Sequence, residues 1–248
     1  MRNVHHTIPL LLFVFSCTLP VARLQAQPEQ KYLRQIRVAA AAFTDTAYQH
    51  FDICYRYASA ETPGRFEDSL TAGFKTWRNR FWYTASNTEV VSDDSLAVVL
   101  FKDDQLIYLT RPGQANALSG QFALLDSLLG GKYPVAVSAE KQGSVMHYRV
   151  EFIQPVYYKI FECWINEKGR ILKTRQLVNR MLAEQQFSAA TQPGSAWISI
   201  ELEFRQYPGN DFRPEWFDTR RVVTKENNEW VARSPYQHFT VFKANPKL

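Results

Sequence analysis

Residues 66–112 constrain the fold more than any other stretch of this chain. No helical apolar period persists across them. Short apolar or alternating runs are broken by polar pairs at Arg78-Asn79, Ser86-Asn87, Asp93-Asp94 and Asp103-Asp104. Such pairs between strand-like runs mark tight antiparallel connections. The stretch is therefore predicted to be a meander of strands in the middle of a sheet. Leu70, Ala72 and Phe74 alternate with Thr71, Gly73 and Lys75, which gives a strand with one apolar face. Residues 96–101 are apolar at every position, so that strand is predicted to be covered on both sides.

The flanks have a different character. Over residues 27–48, Leu33, Ile36, Ala40, Phe43 and Ala47 recur at helical steps, with Arg34, Arg37, Thr44 and Asp45 opposite. This predicts a helix lying on the sheet. Residues 50–59 alternate and predict a strand, closed by the turn Glu61-Thr62-Pro63-Gly64. After Pro112-Gly113 comes a second helical pattern over 115–129, with Leu118, Phe122, Leu125 and Leu129 on one stripe and Gly130-Gly131 as its stop. A second meander follows, in which Met146, Tyr148, Val150 and Phe152 alternate with His147, Arg149 and Glu151. Strands are predicted over 157–165 and 170–179. Ile198, Ile200, Leu202 and Phe204 then alternate with Ser199, Glu201, Glu203 and Arg205, the pattern of a strand with one wet face. From residue 207 onward the signal thins to an extended tail, with an edge strand predicted within 236–242. The sum is an α+β, mainly β chain of about ten antiparallel strands and two helices, with one domain over 27–248.

Ahead of that domain stand Arg2, an apolar run at 8–19 and Val21-Ala22-Arg23-Leu24-Gln25-Ala26. A charged start, a short apolar core and a small residue before a polar segment predict a secretory signal peptide over 1–26 and an exported, periplasmic protein. The alternative is lipidation at Cys17. The apolar run is too short to span a bilayer, and no other stretch has transmembrane length. Removing 1–26 takes away Arg2 and Arg23 and no acid, so the formal charge falls from +5 to +3. That mild excess forms no basic stripe, so no nucleic-acid partner is expected. Cys54 and Cys163 remain. In an oxidising compartment they either pair as a disulfide or sit apart as small buried hydrophobes.

No catalytic signature appears, and the chain is read as non-enzymatic. There is no nucleophile elbow, no Gly-rich loop opening a helix, and no Cys/His spacing for zinc. The Asp pairs lack the Gly and distal Glu of a calcium loop and read as hairpin tips. His50, His147 and His238 lie far apart and read as surface residues. Glu201 and Glu203, two apart on a wet face, read as solvated rather than as a paired acid and base. Trp77, Phe81, Trp82 and Tyr83 form the densest aromatic cluster, read as core packing before cavity lining. No metal or cofactor is expected.

Gly73-Phe74-Lys75, Asn79-Arg80-Phe81 and Lys102-Asp103-Asp104-Gln105-Leu106-Ile107-Tyr108 carry a resemblance to the periplasmic outer-membrane lipoprotein carrier superfamily (LolA/LolB-like), over about residues 30–180. In that family a strand with a basic tip precedes an aromatic strand and an Asp-Gly-Lys hairpin. Its Arg-Pro at the first tip is Arg78-Asn79-Arg80 here. The resemblance implies an open, curved antiparallel half-barrel, with the N-terminal and mid-chain helices over a concave face that encloses an apolar cavity. It implies a carrier for an acyl chain or lipoprotein-like ligand. Leu70, Phe74, Met146, Tyr148, Val150 and Phe152 would line the wall, and Leu118, Phe122 and Leu125 the lid. The alternative is an envelope accessory with a solid core, which binds a protein partner through sheet edges or the tail at 207–248.

Overall fold

The computed structural model describes residues 26–44, 47–112, 134–155, 157–181 and 196–244. The predicted leader before Ala26, with Cys17 in it, lies outside the described residues. So does the predicted helix over 115–129 with Leu118, Phe122 and Leu125.

Helix α1 spans Ala26–Ala41. Glu29 in its first turn suits the positive end of the helix dipole. Ile36, Ala39, Ala40 and Phe43 are buried beneath it, with Tyr32 and Leu33 packed alongside. The helical period predicted a longer element, to residue 48. Instead the chain tightens into a 3-10 turn at Ala42–Thr44. Gln49 Nε2 donates to the Ala42 carbonyl there, which satisfies a carbonyl the ended helix leaves open.

The first meander comprises β1 (Gln49–Ser59), β2 (Phe66–Trp77), β3 (Arg80–Ala85), β4 (Thr88–Ser92), β5 (Ala97–Phe101) and β6 (Leu106–Thr110). All four polar pairs fall in the turns between these strands. Arg78, Ser86 and Gln105 take left-handed φ angles of 56°, 50° and 52°, the backbone that closes tight hairpins. The Asp pairs are structural. Asp93 Oδ1 accepts from Ser95 N at 2.7 Å and from Leu96 N at 2.9 Å. Asp103 accepts from Asn87 Nδ2 at 2.6 Å.

The second meander comprises β7 (Val135–Gln142), β8 (Val145–Phe152), β9 (Tyr158–Asn166) and β10 (Ile171–Asn179), with β11 (Trp197–Gln206) after it. The C-terminal part adds the hairpin β12 (Val223–Glu226) and β13 (Glu229–Ala232), then β14 (Thr240–Lys243). Twelve strands form one open sheet, ordered β14-β6-β5-β4-β3-β2-β1-β11-β10-β9-β8-β7. The fold is thus mainly β, a large open curved sheet that does not close into a barrel.

Three details differ from expectation. The described strands number fourteen rather than about ten: β14 falls at the predicted edge strand within 236–242, but β12 and β13 are four residues long, too short to display an alternation. Strand β14 pairs with β6 in parallel, Thr240 opposite Leu106, where only antiparallel neighbours were predicted. Its partner lies far back in the chain, so no local turn announces the pairing. Strand β7 was not anticipated at all; its outer edge leaves only mild alternation in VAVSAEKQ.

The sheet buries two different faces. On the face that α1 covers, called inner below, Phe51, Ile53, Phe74, Tyr148, Val150, Phe161, Ile200 and Leu202 belong to one buried cluster. Helix α1 packs there on β7 and β9. On the outer face of β3–β6, Val91, Val98, Leu100, Ile107 and Leu109 pack against Val222, Val223, Trp230, Phe239 and Val241. The segment predicted to be a loose tail is therefore laid over its own sheet. It covers the strand read as apolar on both faces.

Cys54 and Cys163 are free, which excludes the disulfide. Cys54 points outward opposite Glu203, whereas Cys163 points inward opposite Tyr148. β10 and β11 separate their strands. Three strand spacings amount to about 14 Å, well beyond the Cα separation a disulfide tolerates.

Candidate functional site

Cross-strand register decides which predicted wall residues meet. Phe74 stands opposite Phe51, and Leu70 opposite Tyr55. Tyr148 stands opposite Cys163, and Val150 opposite Phe161. Since side chains alternate between faces, Leu70, Phe74, Met146, Tyr148, Val150 and Phe152 all share the inner face. They do not share one pocket. Five strand steps separate β2 from β8, about 24 Å at ordinary spacing.

Each predicted residue has its own surroundings. Phe74 stacks on Phe51 and Tyr83, with ring centroids 5.5 and 5.3 Å apart. Val150 is fully buried, and Phe152 packs on Tyr158 at 6.3 Å. These three are core. Leu70 is 36% exposed, at the open end of β2. Tyr148 packs on Tyr32 at 6.0 Å and donates from its hydroxyl to Gln35 Oε1 at 3.0 Å.

Met146 and Tyr148 of the predicted wall line a cleft. It has a volume of about 520 Å³ and lies between α1 and the β8–β9 end of the sheet. Met146, Tyr148 and Ile165 form its floor. Lys31, Arg34, Gln35, Val38 and Ala39 of α1 form one side, and the Asn166–Gly169 tip the other. Of these helix residues the sequence reading placed Arg34 alone, on the polar side of the helix. The signal it passed over was Val38, an apolar residue off the buried stripe, which is 65% exposed.

Further along the inner face, Tyr55, Tyr57 and Tyr83 pack on the main core. Burial pushes the Tyr55 phenol well above its ordinary value, and the neighbouring Tyr57 and Tyr83 add to it. Burial also raises Tyr148, with Cys163 and Tyr32 contributing, and pushes Tyr158 up to about 12. These phenols are therefore neutral at physiological pH and present hydroxyl groups, not charges.

The outer face carries charge. Arg149, Glu162, Arg175, Glu201 and Arg56 stand opposite one another on successive strands. Glu162, 3% exposed, accepts from Arg149 at 3.1 Å and from Arg175. Glu201 accepts from Arg56 at 3.1 Å and pairs with Lys173 at 2.5 Å. Glu203 accepts from Arg56 at 2.8 Å. The expectation that Glu201 and Glu203 are merely solvated is corrected for Glu201, which is 8% exposed and ion-paired. Long basic side chains from the flanking strands lie over it.

The remaining candidates are likewise engaged. His50 lies 2.9 Å from Asp211 and against the Tyr207 ring at 4.5 Å. His147 stacks on Trp164 at 4.3 Å, and His238 lies beside Phe239. The aromatic cluster divides between faces. Phe81 and Tyr83 point inward, while Trp82 and Trp77 point outward, Trp77 meeting Phe212 at 4.9 Å. Lys75 is held between the Trp82 and Trp216 rings at 4.3 and 4.2 Å, and burial lowers its pKa. A second cleft, of about 750 Å³, opens between the β4–β5 turn and the C-terminal segment. Its charged walls largely pair internally, Arg80 with Asp94 and Arg220 with Asp218. Among the described residues no group of three or more His, Cys, Asp or Glu could hold a metal. No described helix is long and apolar enough to cross a membrane.

No protein-family model and no curated protein matches the sequence. Among solved structures, the chain is similar to a LolA superfamily protein from Nitrosomonas europaea, at 13% identity, 78% of this chain, 99% of that one and a TM-score of 0.34. It is also similar to an uncharacterised conserved protein from Thermus thermophilus, at 8% identity, 85% and 98% coverage and a TM-score of 0.43. The lipoprotein LppX of Mycobacterium tuberculosis matches at 13% identity, 71% and 94% coverage and a TM-score of 0.36. At these TM-scores the site is read from its own residues.

Proposed function

We propose that this is an exported, periplasmic, non-catalytic carrier that holds an apolar ligand, an acyl chain or lipoprotein-like molecule, against the inner face of its sheet. One observation carries the reading: the cleft beneath α1 opens onto an apolar floor of Met146, Tyr148 and Ile165 that continues into the main core. Its volume lies within the range of small-molecule sites. Burying a methylene contributes about 0.8 kcal/mol, so retention of a chain needs apolar wall rather than reactive groups. Export rests on the leader pattern at residues 1–26. The outer face offers less to an apolar ligand, because ion pairs and the C-terminal segment occupy it.

Two measurements test this. Protein purified from the envelope fraction is extracted with organic solvent and analysed by mass spectrometry, with a hydrocarbon-chain compound expected near one per protein. N-terminal sequencing is expected to read from Gln27. A protein free of such a compound, which also fails to bind added dodecanol, refutes the carrier reading.

A further inference from the structure

The side of the cleft formed by α1 has an order of its own. Lys31, Arg34, Gln35 and Val38 follow at steps of three and four, which places them on one stripe. The stripe is separate from the buried one through Ile36, Ala40 and Phe43. It is graded along the helix: two cations first, then an amide, then Val38 and Ala39, over about 10 Å of helix at 1.5 Å per residue. The same cleft has Met146, Tyr148 and Ile165 for its floor.

The polar end is electrostatically unbalanced. Neither Lys31 nor Arg34 makes an ion pair among the described residues. Both line the cleft, where Glu167 is the one carboxylate among the lining residues. Gln35 accepts the Tyr148 hydroxyl on its carbonyl oxygen, which turns its amide donors to other partners. Two cations and an amide N–H₂ at one end of an apolar groove complement an anion attached to a chain.

We infer that the cleft takes a single-chain anionic amphiphile, with a carboxylate or phosphate head at Lys31, Arg34 and Gln35 and its chain on Met146, Ile165 and Val38. This rests on the carrier reading and adds the class of head group. A neutral amphiphile gains the floor and forfeits the rim. An ion pair at an exposed rim is modest and screened by salt, so the rim selects among chains while the floor retains them.

The test compares dodecanoate, dodecyl phosphate and dodecanol by displacement of a fluorescent apolar probe at pH 8 and low salt. The intact protein and the Lys31→Gln/Arg34→Gln variant are measured side by side. Both positions are exposed, so the fold should persist, and an unchanged far-ultraviolet circular dichroism melt of the double variant verifies this. The expected result is an anion preference over dodecanol of about tenfold from two rim contacts. The double variant and 0.5 M salt each should abolish it. The tighter of the two anions identifies the head. Equal binding of anions and dodecanol by the intact protein overturns the head-group assignment and leaves the carrier reading standing. So does a preference that survives in the double variant. Binding of none of the three overturns both.

Discussion

Glu89 fastens the C-terminal segment to the sheet, and replacing it by Gln measures how much that fastening contributes. The carboxylate is 7% exposed. It accepts from Trp82 Nε1 at 2.9 Å and from Arg221 at 2.6 Å, and pairs with Lys102 at 3.0 Å. Burial alone would raise its pKa. The hydrogen bonds from Trp82 and Lys102 and the Arg221 charge outweigh that and hold it below the usual carboxylate range. Glu89→Gln preserves shape and one acceptor but turns charge-assisted bonds into neutral ones. With Lys102 43% exposed and largely screened, the loss is expected at about 2 kcal/mol. For a domain of this size that lowers the melting midpoint by about 4–8 °C. Thermal and urea denaturation followed by circular dichroism give the number, with the exposed Glu215→Gln as a control expected within about 0.5 kcal/mol. The sign of the pH dependence follows from the depressed pKa. The contribution is complete above the unfolded value of about 4.3 and is lost as pH falls through the lower folded value. Native protein should therefore lose more stability between pH 6 and pH 3 than the variant does. A variant as stable as the control, or with an unchanged acid profile, refutes the fastening role.

Other residues give independent checks. Glu162→Gln leaves Arg149 and Arg175 one neutral acceptor in place of their shared carboxylate and should cost about 2–3 kcal/mol, reduced from a fully buried pair because both arginines are a third exposed; urea unfolding reads it directly. Phe51→Ala empties a fully buried position between Phe43 and Phe74 and should cost about 3–5 kcal/mol in the same assay. Reducing agent should leave the melting midpoint unchanged, since Cys54 and Cys163 are free. Burial pushes the Cys163 thiol far up, so a disulfide reagent at pH 8 should modify it only as the protein unfolds.

Local chemistry made half of this fold readable. The polar pairs at residues 78–79, 86–87, 93–94 and 103–104 sit where turns must sit, because short polar side chains and left-handed backbone belong to tight hairpins. The alternation through Phe51, Ile53, Phe74, Tyr148 and Val150 identified the inner face before any neighbour was known. Lateral order was not readable. That β11 lies between β1 and β10 depends on contacts far apart in sequence, and no residue in ISIELEF names its neighbours. Glu201 shows the same gap: a carboxylate spaced two from another looks wet until Arg56 and Lys173 arrive from flanking strands. The C-terminal cover was missed because Phe212, Trp216 and Phe217 sit in and beside 3-10 turns, which have no long period to detect. The cleft was missed because a helix with two useful stripes reads, in sequence, as one buried stripe and one solvated face.

The two faces explain why a sheet this large is built with so much chain on its outside. Val90 and Val91, and likewise Val98 and Leu100 beside Ala97, are buried on strands whose side chains alternate between faces. Such strands need two covers. The C-terminal segment supplies the outer one, tied down by Glu89 to Arg221, Asp93 to Thr219, and Lys75 between Trp82 and Trp216. With the outer face of β3–β6 closed by the chain itself, and that of β8–β11 laced by ion pairs, the apolar cleft lies on the inner side. There α1 packs on β7 and β9, while β1 and β2 present Tyr55, Tyr57 and the exposed Leu70 farther along the same face. The inner face therefore differs along the sheet, with Met146, Tyr148 and Ile165 exposed to the cleft at one end and Tyr55, Tyr57 and Leu70 on β1 and β2. The C-terminal segment closes the outer face at the β3–β6 end of the sheet, so the cover and the β8–β9 cleft lie on opposite faces and at opposite ends.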